Sequence, residues 1–224
     1  MDKIPFSVYD FFAYLSSGAV WVLTADYVLG TGLLNQKDIP VVLGVALVIF
    51  AYVCGHIVAH FSSLTMEQIL VGRLLKRPTS ILLGEKPRWR PFRWVFPNYF
   101  RQLPAHTQNR VGEQAEARGA GSATGEALFM HAYPVVTSNS VIQARLDDFR
   151  NQYGFARNMS FALMTSAITI VIAHRLAFHP VRLRWAVLSA VAGFALFYRY
   201  LKFFRQYSYE LLLRYAELSR PENT

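Results

Sequence analysis

Apolar residues in this chain gather into four long runs, 11–34, 40–62, 159–178 and 183–200, separated by stretches in which polar positions dominate. A bilayer core of about 30 Å asks for on the order of 20 apolar residues per helix, so each run is long enough to cross it. The first run is the most polar, with Ser16, Ser17, Thr24 and Asp26; the second is the most hydrophobic and carries Gly44, Gly55, His56 and His60. Asp2 and Asp10 flank the first run, Asp26 interrupts it and no A-x-A site follows, so it is expected to stay in the mature chain. The expected fold class is an all-α integral membrane protein with four transmembrane helices and a cytoplasmic part that is helical and irregular.

Four segments follow from this pattern. Residues 1–62 hold an interfacial start and the first two spans, with Ser7 and Asp10 placed like a capping box ahead of the first helix. Residues 63–139 form a cytoplasmic segment. It opens on a second capping box, Thr65 with Gln68, and an apolar stripe of Ile69, Leu70, Leu74 and Leu75 that predicts a short amphipathic helix, stopped by Pro78. That helix lies on the inner leaflet or packs on its own domain. Residues 108–125 are small and polar and predict a mobile loop, while the run after Glu126 has enough β-branched and aromatic character for short strands. Residues 140–200 read as one long helix entering the third span, with Ile142, Leu146, Phe149 and Tyr153 spaced by three or four, followed by the fourth span. Residues 201–224 form a C-terminal helix whose seam of Leu201, Phe204, Leu211, Tyr215 and Leu218 is expected to pack the tail against a neighbour.

Composition supports the membrane reading: 53% of residues are hydrophobic and only 17% charged, against about 25% charged in soluble domains. The single cysteine, Cys54, excludes an intramolecular disulfide framework and a CxxC zinc site. A net charge of +9 favours anionic partners. Because cytoplasmic loops collect Lys and Arg, the distribution of basic residues orients the chain. Nineteen lie on the side holding both termini and the segment 63–158, whereas Lys37, Arg175, Arg182 and Arg184 lie on the other. Both termini are therefore expected in the cytoplasm.

Two groups of residues carry candidate chemistry. Residues 86–101 read K-P-R-W-R-P-F-R-W-V-F-P-N-Y-F-R, with prolines expected to forbid regular structure. Arginine forks grip phosphate and aromatic faces stack on bases, so Arg88, Arg90 and Arg93 with Trp89 and Trp94 suit single-stranded DNA or a nucleotide. The same mixture also anchors a membrane protein among anionic lipid headgroups, or meets a cytoplasmic partner protein. Arg150-Asn151 recurs seven residues on as Arg157-Asn158; this face is either solvated or, in a ring of subunits, a stack of arginines at a pore mouth. At depth in the first two spans lie Asp26, His56 and His60, and ionisable groups at membrane depth are functional candidates. The two histidines share a face at i, i+4. Interhelical hydrogen bonding is the default over a metal or proton site, with Asp26 pairing with one of them or lining a watery passage. Gly44 and Gly55 would admit another helix closely. No nucleophile elbow, Walker loop or HExxH occurs, so no catalytic residue, metal or cofactor is assigned.

The layout of four spans, a basic segment containing W-R-P-F-R-W at 89–94, the helix D-D-F-R-N-Q-Y-G-F-A-R-N at 147–158 and a helical tail resembles the small multi-pass membrane effectors of bacterial anti-phage defence, of the Hailong channel-subunit or Kiwa membrane-subunit type. The resemblance implies a homo-oligomeric ion channel, a tetramer being favoured, kept shut until infection and gated by an anionic cytoplasmic ligand such as single-stranded nucleic acid. It assigns no residue a role. Two other classes remain open: a membrane-tethered scaffold binding nucleic acid or a partner protein, and a membrane-embedded enzyme using His56, His60 and Asp26.

Overall fold

The computed structural model describes residues 8–33, 36, 39–86, 91–121, 123–176 and 180–218. Among these the regular structure is entirely helical, and four helices are long and apolar enough to cross a membrane. The Ser7 capping position lies outside the described residues.

Helix α1, Val8–Leu29, ends earlier than the apolar run that codes for it. Gly30 and Gly32 both take the left-handed conformation, φ +67° and +63°, which glycine adopts without a Cβ penalty. The amides of Gly30 and Thr31 close back on the Asp26 carbonyl at 3.0 and 3.3 Å. Helix α2, Val41–Ser62, starts at Pro40 as the run predicts. No new helix starts at Thr65. The backbone continues from α2 as a π-helix, Ser63–Leu75, and the Thr65 hydroxyl donates backwards to the Phe61 carbonyl at 2.6 Å instead of capping. The wider π turn also changes which residues face inward: Met66, Val71 and Leu75 are buried while Ile69 and Leu74 of the expected stripe are exposed. Lys76, at φ +72°, breaks the run, and Pro78 opens the single-turn helix α3, Pro78–Leu82.

Between α3 and the long helices, the expectation of irregular structure is overturned in two places. Phe92–Val95 forms a helical turn, α4, behind Pro91 at its N-cap, a position where proline's missing N–H costs nothing. The first ten residues of the stretch 108–125, expected to be a mobile loop, belong to helix α5, Ala105–Ala117, with Val111, Gln114 and Ala115 buried. Its Ala, Gln and Glu are strong helix formers, and two small apolar side chains at i, i+4 suffice to seat it. The run after Glu126, whose sequence admits short strands too few to make a sheet and leaves the fold open, is helix α6, Gly125–Thr137, whose buried Leu128, Ala132 and Val136 follow a period of four rather than two. Its internal Pro134 leaves the helix unbroken.

Helix α7, Ser140–Leu176, is the single long helix expected, capped by the Asn139 side chain, which accepts from the Val141 and Ile142 amides at 3.0 and 3.3 Å. Helix α8, Pro180–Glu217, joins the fourth span and the tail without a break.

The chain divides into two compact units. The first comprises residues 1–67 and 154–200. In it α1 packs on α2 where Gly18 and Gly55 oppose each other: a Cβ on Gly18 would strike the Ala51 carbonyl, and one on Gly55 the Tyr14 carbonyl. Hydroxyls then tie the helices laterally. Trp21 Nε1 donates to Thr165 Oγ1 at 2.9 Å, Thr24 Oγ1 to Ser166 Oγ at 2.8 Å, and Ser160 Oγ to the Gly193 carbonyl at 2.7 Å. The second unit comprises residues 68–153 and 201–224. Its core gathers Leu82, Leu103, Val111, Leu128, Leu146, Leu211 and Tyr215, so the tail seam is spent inside its own chain rather than on a neighbour.

Candidate functional site

In the first unit the most concentrated chemistry sits where α2 passes into the π-helix. Asn158 of α7 is 3% exposed, and its Oδ1 accepts from the Ser62 hydroxyl at 2.7 Å and from Nε and Nη2 of Arg157 at 3.3 Å each. Arg157 Nη1 in turn pairs with the Glu67 carboxylate. The arginine and glutamate side chains are only 15% and 29% exposed, so the pair is shielded enough for its charges to matter to one another. Helical geometry makes this assembly: Ser62 and Glu67 are separated by the first π turns, while Arg157 and Asn158 are adjacent on α7 and reach them from one side.

The recurring Arg-Asn pair therefore has two different fates. Arg157 belongs to the buried network, whereas Arg150, half-exposed in the second unit, bridges to Asp147 at 3.0 Å one turn back on its own helix. The stacked-ring expectation treated them as equivalent. Their neighbours, not their spacing, distinguish them, and Glu67 was the residue whose part the sequence left unread.

A second polar feature of the first unit is a cleft of about 220 Å³ lined by Trp21, Thr24, Ala25, Thr165, Ser166 and Thr169. Its hydroxyls are partly spent on backbone carbonyls of the preceding turn, as Thr24 on Val20 at 2.7 Å and Thr169 on Thr165 at 3.0 Å. Such back-bonding lets a hydroxyl sit among apolar neighbours without an orphaned donor.

The ionisable residues of the spans are each engaged separately. Asp26 Oδ1 accepts from the Leu33 amide at 2.8 Å and from the Thr31 hydroxyl, closing the turn after its own helix. His56 stacks on Tyr14 of α1 with ring centroids 4.2 Å apart and meets the edge of Tyr52 at 4.7 Å. His60 lies against Phe61. Among the described residues no three His, Cys, Asp or Glu side chains come together as metal ligands would. Gly55 admits a neighbouring helix as expected; Gly44 has no atom within 4 Å of where a Cβ would stand.

Of the Arg/aromatic stretch, Arg88, Trp89 and Arg90 lie outside the described residues. Arg93 is exposed on α4, and Trp94 beside it is 92% exposed, the two presenting an unburied cation and indole side by side. The stretch is not uniformly a surface, since Phe96, Tyr99 and Phe100 turn into the second unit. The Tyr99 hydroxyl donates to the Lys76 carbonyl at 2.8 Å, and burial pushes its pKa well above the ordinary phenol value.

Compared with models of protein families, with curated proteins and with solved structures, the chain matches none.

Proposed function

We propose that this protein is an oligomeric membrane channel whose opening is set by an anionic ligand on the basic cytoplasmic side, an effector of the kind deployed against phage in a bacterial inner membrane. The observation that carries the reading is the placement of polar side chains in the spans. Thr24, Thr165, Ser166 and Thr169 gather at one cleft of the first unit instead of being scattered over lipid-facing surfaces. Hydroxyls gathered beside a cleft whose exposed surface is otherwise mostly apolar are of use when water or ions pass there. One four-span chain encloses little space, so the passage would be completed by further copies. Exposed Arg93 and Trp94 supply a surface for a polyanion, and the sequence just before them adds Arg88, Trp89 and Arg90 as further candidates.

Planar bilayers test this directly. Purified protein should give unitary current steps whose open probability changes on adding single-stranded oligonucleotide to the basic side, and a Thr24→Val, Thr165→Val, Ser166→Ala variant should conduct less. Bilayers that stay silent at every oligonucleotide concentration would reject the channel. A tethered scaffold is the second reading, favoured by Trp94, since an indole so fully exposed next to an arginine suits a binding surface whether or not a pore exists. The enzyme reading draws no support from the separate engagement of Asp26, His56 and His60.

A further inference from the structure

A second cationic centre lies in the second unit; it takes Arg101, the last residue of the Arg/aromatic stretch, but none of the residues that the channel reading assigns to its ligand. Arg205 of α8 is half-buried, and one of its terminal nitrogens donates to the Arg101 backbone carbonyl at 2.9 Å. Its guanidinium lies 5.7 Å from the Tyr209 ring centroid. Its Nε is sealed from water and, among the described residues, has no hydrogen-bond partner. The groups whose charge bears on it are Arg101, Tyr99 and Tyr209, and no carboxylate is among them. Arg214, also partly covered, by contrast pairs with Glu210 and Glu217, and the exposed Arg145 and Arg77 have carboxylate partners in Glu210 and Glu126.

The arrangement is held in place. Three hydrogen bonds besides that from Arg205 pin the segment carrying Arg101: Tyr99 Oη to the Lys76 carbonyl at 2.8 Å, Gln102 Nε2 to the Gly84 carbonyl at 3.2 Å, and the Leu103 amide to the Leu82 carbonyl at 3.0 Å. Arg101 itself is exposed, and Lys202, one turn before Arg205 on α8, is exposed as well. Three cations are thus presented from fixed backbone, and the half-buried one has no counter-charge from the described residues. Like charges held together without an anion repel, and a guanidinium removed from water gains most from a partner with several strong acceptors.

We propose that Arg101, Lys202 and Arg205 form a binding site for a phosphate group, with the exposed end of the Arg205 guanidinium and the Arg101 fork taking its oxygens. Two sources share that chemistry. A lipid headgroup phosphate is one, because Arg205 stands five residues past the apolar run 183–200 on the same helix, the distance at which basic side chains meet headgroups. Free phosphate or pyrophosphate is the other. The site does not depend on conduction and stands or falls separately from the channel.

The test uses the full chain in dodecyl maltoside, titrated with short-chain phosphatidylglycerol, short-chain phosphatidylcholine and inorganic pyrophosphate, with bound ligand counted by native mass spectrometry. Wild type should retain phosphatidylglycerol or pyrophosphate in preference to phosphatidylcholine. Arg205→Gln and Arg101→Gln should each weaken that binding by tenfold or more, Arg205→Lys by less, and Arg110→Gln on exposed α5 surface not at all. Arg101 is on the surface, so its variant keeps the experiment decisive even if Arg205→Gln unsettles the fold. Retention of phosphatidylglycerol alone assigns the site to headgroups, and retention of pyrophosphate as well assigns it to soluble phosphate. Equal retention of all three ligands, no retention of any, or glutamine variants within twofold of wild type would overturn it.

Discussion

Glu67 and Arg157 illustrate how a single contact decides between surface and interior roles. Removing either member leaves the other charge partly buried, and removing Arg157 also takes two donors from the Asn158 side-chain oxygen. Glu67→Ala or Arg157→Ala should each cost about 1–3 kcal/mol of stability. The exchange Glu67→Arg with Arg157→Glu should recover a measurable part of it, read as thermal unfolding in detergent. A double variant no more stable than the sum of the singles would show the pair to be incidental. Tyr99 gives a second test. Its folded pKa is raised by burial, so the protonated phenol is what the fold favours. That contribution is complete below the unfolded value of about 10 and is lost as pH rises beyond it. Stability should therefore fall above pH 10 in wild type and fall less steeply in Tyr99→Phe, as followed by unfolding at stepped pH. The sequence marked Arg157 as worth attention through its repeat with Arg150, but it held no signal for Glu67 as partner. An ion pair between positions ninety residues apart is fixed by how helices pack, and a single sequence does not carry that.

Helices whose apolar residues form long runs were legible from the sequence, because the requirement to span a bilayer is a strong and simple pattern. α2 starts at the proline that opens its run, and α7 extends unbroken from Ser140 as the spacing of Leu146 and its neighbours indicates. The shorter helices were not. α5 buries only Val111, Gln114 and Ala115, too thin a stripe to stand out among small polar residues, and α6 carries an internal proline that argues against helix and β-branched residues that argue locally for strand. In both, packing on the core of their unit outweighs weak local preference. The π-helix is a further case: 13 residues in a form that is rarely longer than a turn cannot be expected from composition. Contact between α1 and α2 gives the sharpest prediction for these elements. Gly18→Leu forces a side chain into the Ala51 carbonyl and should cost about 3 kcal/mol, the upper end of overpacking, or prevent assembly of the two helices altogether. Thermal melts in detergent measure it, and an unchanged melting temperature would mean that α1 and α2 do not lie in this register.

The distribution of basic residues predicts both termini on one side of the membrane together with residues 63–158. Cysteine placed at Lys37 in a Cys54→Ser background should react with an impermeant maleimide from outside, and cysteine at Glu217 only after the membrane is opened. The opposite pattern would reverse the charge argument. Assembly of several copies has to be argued apart from the tail, because Leu211, Leu212 and Tyr215 are fully buried in their own chain and Gln114 holds the Leu218 carbonyl at 2.5 Å. Deleting 208–224 would strip the core of the second unit, so a smaller particle after that deletion says nothing specific about subunit contacts. Apolar side chains along α2 such as Val45, Ile49 and Val53 are exposed, but lipid satisfies them as well as another helix would. What lipid does not explain is a close-approach position left unused. Glycines in spans allow backbones to meet, and where Gly55 meets α1, Gly44 meets nothing among the described residues of its own chain. If copies associate through α2, Gly44 is where they come closest. Gly44→Leu should then leave the melting temperature of the single chain within about 0.5 kcal/mol of stability, as a substitution into open space does, and shift the particle towards monomer in mass photometry. An oligomer that survives Gly44→Leu intact would exclude this face of α2 from the interface, and a wild-type particle of one chain, 25.5 kDa plus its micelle, would remove the oligomer and with it the pore.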